Sequence, residues 1–245
     1  SELAKGAAKA SCENNNQENK TSFGRIFKLS TIAIALTGAI NYANAAYTEN
    51  GFAKADSIAI SGNSGKKADA RGIGPSTDTG NIAIGTDSAA QGGNSVAIGY
   101  ESKTRGNGGT AVGQGAKAGV SKDDGSASSA FGYYANAAAS GSTALGFRTV
   151  ASTQQATAVG YQAAASGQGA TALGANAIAS NQSTIAISAG PNTTTASGVG
   201  SIAIGTNVTS NGTGNIATGA GANATGNGAV ATGSGSVANG NNALA

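Results

Sequence analysis

An all-β parallel solenoid built from 14-residue coils is the fold class that three observations predict. The first is a four-residue phrase that keeps returning: aliphatic or Thr, then Ala, then aliphatic or Thr, then Gly. It reads Ile82-Ala83-Ile84-Gly85, Val96-Ala97-Ile98-Gly99 and Thr110-Ala111-Val112-Gly113. Its closing residue falls at Gly85, Gly99 and Gly113, at Gly132, Gly146, Gly160, Gly174 and Ser188, and at Gly205, Gly219 and Gly233, with a step of 14 inside each group. The second is composition. With 40 Gly and no Met, Trp or His in 245 residues, the chain would read as low-complexity disorder if it had no period. A fixed period of this length signals stacked repeats instead. The third is local alternation. In Tyr161–Gly174, small Ala163 and Ala165 alternate with polar or small neighbours, Ser166-Gly167 makes a turn, and Thr171-Ala172-Leu173 follows. Alternation over a few residues between Gly, Ser and Asn turns marks a strand, so each coil holds two short strands and two tight turns.

Taken in order, residues 1–45 stand apart from the repeat. Lys20, Arg25 and Lys28 precede an apolar run from Leu29 to Ile40, and Ala43-Asn44-Ala45 fits a cleavage site, so a signal peptide cut after Ala45 is expected. A run of twelve residues at ~1.5 Å each is too short for a ~30 Å hydrocarbon core. The single cysteine, Cys12, lies in that removable segment. Residues 46–80 form irregular first coils: Ser57-Ile58-Ala59-Ile60-Ser61 is one copy of the phrase, followed by a charged insertion with Lys66, Lys67, Asp69, Arg71 and Asp78. Residues 81–245 carry the regular coils, broken at Gln114–Ala130 and Ala189–Ser201, where extra residues should bulge outward. Pro75 and Pro191 both avoid the regular coils, as paired strands require. Ala243-Leu244-Ala245 ends in mid-phrase, so the chain is expected to continue in the parent protein.

Within the phrase, each position suggests a job. A single coil cannot bury enough surface, so coils must stack at ~4.8 Å and share backbone hydrogen bonds. The aliphatic residues Ile82, Ile84, Val96, Ile98, Val112, Leu145, Val159, Leu173, Ile185, Ile187, Ile202 and Ile204 are expected to fill the interior. The alanines between them, Ala83, Ala97, Ala111, Ala144, Ala158, Ala172, Ala186 and Ala203, would then form a flat outer face. Such a face suits close contact with other copies around a shared axis.

The Asn94-Ser95-Val96-Ala97-Ile98-Gly99 stretch, the 14-residue step and the Ser1-Glu2-Leu3-Ala4-Lys5 leader together resemble the YadA-like head of trimeric autotransporter adhesins, with its extended signal peptide region. The resemblance covers about residues 51–245 and the leader. It implies a left-handed parallel β-roll, a handedness opposed to the usual crossover rule, assembled as a homotrimer. It also implies export through the signal peptide to the bacterial outer membrane and cell surface, with membrane anchoring through a C-terminal region beyond this sequence. The partners it implies are extracellular-matrix proteins (collagen, laminin or fibronectin) or host-cell receptors.

The residues offer little catalytic chemistry. Without His, and with Cys12 in the leader, the Ser-His-Asp, Cys-His and usual zinc constellations are closed. Asp123-Asp124 reads as a solvated loop, and Gly226-Asn227-Gly228-Ala229-Val230-Ala231 matches a dinucleotide fingerprint without its β-α-β context. No enzyme, metal or cofactor is expected. Of the net charge of +3, residues 1–46 hold five basic and three acidic groups, and beyond Gly125 the charged side chain is Arg148 alone. With no basic stripe in view, nucleic acid is not an expected partner. Candidate ligand contacts are Asn94 and Ser95 with Tyr133, Phe147 and Tyr161, which open consecutive coils, and Tyr100, its equivalent two coils earlier. Such a ladder serves either as a contact ridge or as cover for a turn or a neighbouring subunit. A structural or ice-binding solenoid is the rival reading. It is disfavoured because Thr110, Thr143, Thr157 and Thr171 alternate with Ile and Val at one coil position, which suggests a buried row.

Overall fold

The computed structural model describes residues 47–49, 51–53, 56–61, 66–71, 80–119 and 127–245. The leader, the signal peptide and its cleavage site, Cys12, Pro75, Asp78 and Asp123-Asp124 lie outside the described residues. Those described form a parallel β-solenoid, and they contain no helix. Each coil gives one strand to each of two sheets. Sheet A runs through thirteen strands from Tyr47–Glu49 to Val230–Thr232, and sheet B through thirteen from Gly51–Ala53 to Val237–Ala238, each in simple chain order. All the pairs are parallel, and the phrase stays in register from end to end: Ala83 pairs with Ala97, Ala97 with Ala111, Ala111 with Ala130, Ala186 with Ala203.

The register locates the breaks. In sheet B, Lys117 pairs with Lys103 on one side and Asn136 on the other, so the first half of the Gln114–Ala130 break is regular coil. In the second break, Ala177 pairs with Thr194 and Ala186 with Ala203, which confines the extra residues to the turn before Thr194. Pro191 sits in that turn, and its carbonyl accepts a hydrogen bond from Asn176 Nδ2 at 2.6 Å. The charged insertion is also more regular than expected, because Ala68–Ala70 is a sheet B strand whose Asp69 pairs with Ala89.

The closing glycine has a clear backbone cause. At Gly85, Gly99, Gly132 and Gly160 φ lies between +126° and +129°, a region side chains rarely enter. A Cβ on Gly85 would also stand 2.6 Å from the Gly99 carbonyl oxygen of the next coil. Ser188 takes a different path: it extends its strand, is nearly buried, and its hydroxyl donates to the carbonyls of Gly190 and Asn192 at 3.0 and 3.2 Å. Ser61 likewise donates to Lys66 O at 2.7 Å. Ser188 thereby ties the longer loop that follows it back onto the coil.

The assignment of inside and outside is the reverse of the one the sequence suggests. Ala83, Ala97, Ala111, Ala144, Ala158, Ala172, Ala186 and Ala203, expected at a subunit contact, are completely buried within one chain. Ile82, Ile84, Val96, Ile98, Val112, Val159, Leu173, Ile185, Ile187, Ile202 and Ile204, expected in the interior, are only partly covered, and Leu145 is 46% exposed. The physical reason is space. The interior is filled from sheet B by residues such as Ala135, Ala137, Ala163 and Ala165, so sheet A can add nothing larger than a methyl group opposite them. Polar inward groups are tied to their own turns: Ser88, Ser102 and Thr149 donate to the carbonyls of Gly85, Gly99 and Gly146, each at 2.8–2.9 Å.

Two substitutions test this interior. Ala158→Leu overpacks it and is expected to cost about 3 kcal/mol, whereas Val159→Ala on the outward face costs about 0.5 kcal/mol in the isolated chain; urea melts followed by circular dichroism separate the two. The buried Ser210 hydroxyl has no hydrogen-bond partner and stands in register between Ala196 and Ala224. Ser210→Ala should therefore raise stability by about 1 kcal/mol, read as a higher thermal midpoint.

Candidate functional site

Because parallel strands repeat at ~4.8 Å, a residue type kept at one coil position becomes a row along the roll. Two such rows stand on the outer surface. The first is aromatic. Tyr133 and Phe147 stack at 5.2 Å between centroids with 7° between planes, and Phe147 and Tyr161 at 5.2 Å with 4°. Tyr134 meets Tyr133 edge-on at 4.6 Å and 79°, and the Arg148 guanidinium lies 5.3 Å from the Phe147 ring centre. All three stacked rings are exposed, Tyr161 most of all at 51%. Stacking turns their faces toward one another, so the ridge offers ring edges to its surroundings.

Tyr100 does not join this ladder. Gln114 occupies the same coil position between Tyr100 and Tyr133, and Tyr100 instead lies under Lys66 Nζ at 5.9 Å. A hydrogen bond to the Glu101 carboxylate, with that carboxylate's charge, raises the Tyr100 phenol above its ordinary pKa. Lys66 reaches Glu101 at 3.9 Å. Asn94 is exposed, in a left-handed turn at φ +53°. Ser95 is not available to a ligand. It is completely buried, its N–H and hydroxyl donate to Asn81 Oδ1 at 3.0 and 3.1 Å, and the hydroxyl also reaches Gly92 O at 2.9 Å. Its coil position faces inward, so the candidate pair Asn94 and Ser95 divides into one outward and one inward residue.

The second row is the outward face of sheet A. It carries every aliphatic residue expected inside, together with Ile58, Phe131 and Ile216, which are 37–38% exposed. Twelve strands, from Ile58–Ile60 to Val230–Thr232, at ~4.8 Å make this strip about 50 Å long, far beyond the scattered apolar residues of an ordinary surface. Thr110, Thr143, Thr157 and Thr171 also face outward here, contrary to the buried row expected of them. They sit beside Val112, Leu145, Val159 and Leu173 in the same strands, so the face is mixed and aliphatic rather than a threonine array.

Sequence reasoning missed Tyr134 and Arg148, and it missed a cluster of basic residues on sheet B. Their signal was present: Lys103 and Lys117 occupy the same position in neighbouring coils. Among the described residues no group of acidic or cysteine side chains is arranged to hold a metal. Removing Phe147 deletes two stacks and removing Tyr161 deletes one, so Phe147→Ala should lower stability by about 2 kcal/mol and Tyr161→Ala by about 1 kcal/mol, measured by chemical denaturation.

The family model described as the YadA head domain repeat (2 copies) matches residues 82–102, 124–149, 140–163, 151–177, 165–187, 192–207 and 224–245, about half of the chain. The matched segments overlap and span successive coils. No curated relative matches the sequence.

Proposed function

We propose that this chain, which belongs to the YadA head domain repeat family, is the head of a non-enzymatic bacterial surface adhesin that attaches to extracellular-matrix protein or host cells as a homotrimer. The observation that carries the reading is the apolar outward face of sheet A. A strip this long, with at least one apolar side chain in every strand from Ile58–Ile60 to Val230–Thr232, is poor solvent surface. Copies of the same chain present a matching surface. Three copies around one axis would bury all three strips and leave sheet B and the aromatic ridge outward.

The family supports adhesion; the choice of collagen, laminin or fibronectin as ligand is our own extension. Repetition favours it, since many equivalent weak contacts on a multivalent rod sum to firm attachment. The ice-binding alternative gains nothing from the outward threonines, because the aliphatic neighbours in each strand break up any regular hydroxyl lattice.

Ile187 and Ile204 pair in register on the apolar face. Ile187→Asp with Ile204→Asp should leave the β-sheet circular dichroism intact while light scattering shows monomers in place of trimers. Binding to surfaces coated with collagen, laminin or fibronectin should fall at least tenfold with the loss of avidity. A wild-type chain that stays monomeric and ignores all three coatings would rule the reading out.

A further inference from the structure

The outward face of sheet B is mixed, with Asp69, Lys103, Lys117 and Asn136 in its earlier coils and Val150, Ile178 and Val237 in later ones, and its charges are gathered in a few neighbouring coils. Lys103 and Lys117 pair directly across adjacent parallel strands. Like charges held opposite each other weaken a sheet. Neither lysine makes a close ion pair with a described residue, the close pairs there being Lys66 with Glu101 and Arg71 with Asp69, while Asp69 and Asp87 line a recess together with Lys103. Burial pushes the Asp69 carboxyl up, but hydrogen bonds and charge from Arg71 outweigh it and hold the pKa below its usual value. Asp87 is the other carboxylate on this face, in the adjoining recess it shares with Lys67 and Lys103.

Around the two lysines the surface is hollowed. Lys103, Arg105, Lys117 and Gly119 line a recess of about 230 Å³. Gly119, which holds in its coil the position of Arg105 one coil earlier, adds no side chain to the lining. The neighbouring recess, about 380 Å³, is shared by Lys117, Tyr134 and Arg148. Tyr134 is 42% exposed and its ring lies across Gly115, where a Cβ would stand 2.7 Å from it. Cations and an aromatic ring thus follow one another along the roll axis.

We infer that this strip binds a sulfated polysaccharide, with Lys103, Arg105, Lys117 and Arg148 taking sulfate and carboxylate groups and Tyr134 supporting a sugar ring. Two ammonium groups carried at one position of adjacent strands repel each other, and an external polyanion relieves that repulsion. A linear acidic glycan suits cations spread over neighbouring coils, with Lys103 and Lys117 at one coil position and Tyr134 and Arg148 two residues earlier in theirs. Single-stranded nucleic acid is matched instead by successive stacking aromatics, which this face does not offer. The inference rests on sheet B and on the turns that carry Tyr134 and Arg148, and does not depend on the matrix-protein reading.

The test uses the whole chain and immobilised heparin. Wild type is expected to bind at physiological salt and to be released as salt rises. Lys103→Gln with Lys117→Gln should weaken binding at least tenfold while the thermal midpoint holds or rises, because the repulsion has gone. Lys103→Arg with Lys117→Arg should retain binding, and Tyr134→Ala should reduce it severalfold. N-desulfated heparin should bind more weakly than heparin. No binding by wild type, full binding by the double Gln variant, or preference for single-stranded DNA over heparin would each overturn the inference, and none of these outcomes bears on attachment to matrix protein.

Discussion

The room between the two sheets is the constraint on which the rest of this structure depends. It admits mostly methyl and hydroxymethyl groups, so the core is a double column of alanine relieved by serine and threonine, with Val208, Asn81 and Asn215 the largest side chains fully buried among the described residues. Alanine buries little area, and the hydrophobic return per coil is correspondingly small. What compensates is the backbone: every coil is hydrogen-bonded to the coils on both sides through two strands and through the turns between them, as where Gly99 N–H reaches Ile84 O and Gly113 N–H reaches Ile98 O. A thin core also forces the larger aliphatic residues outward. The apolar outer face is a direct consequence of the narrow inside.

Period, strand pairing, turns and insertions were all legible in the sequence because each depends on residue spacing. The orientation of the phrase was not. Alternation says that Ala83 and Ile82 face opposite ways, but it does not say which way is in, and the usual preference for burying large apolar residues pointed to Ile82. A better guide was available in the polar residues. Asn81 and Ser95 lie one residue before the aliphatic pair, on the same side as the alanines, and they are buried and hydrogen-bonded to each other between coils, with the Ser95 hydroxyl also reaching the Gly92 carbonyl of its own turn. The aromatic ladder was readable because Tyr133, Phe147 and Tyr161 share a position, and Tyr100 fell outside it because Gln114 breaks the row. Lys103 and Lys117 share a position too, but counting charge along the whole chain hid two residues that the fold places side by side.

The two sheets therefore divide the work. Sheet A has an exterior of aliphatic residues interleaved with threonines, repeated in register from coil to coil. Sheet B varies from coil to coil: charged near Asp69 and Lys103, aromatic at its margin near Tyr134, and then free of charge beyond Arg148. Variation is cheap there, because an outward residue on sheet B neither enters the core nor meets the apolar strip. Recognition can change along the rod without disturbing the scaffold.

The simple chain order of both sheets also has a mechanical meaning. Since each strand neighbours only the preceding and following coils, the two ends of the described roll lie at opposite ends of its stack. Tension applied between them loads the outermost coil first and opens the stack like a zip, one coil at a time. Each detached 14-residue coil releases roughly 45 Å of slack, so a pulled roll lengthens in small steps rather than failing at once. A body tethered through such a head would have sudden drag spread over many short extensions.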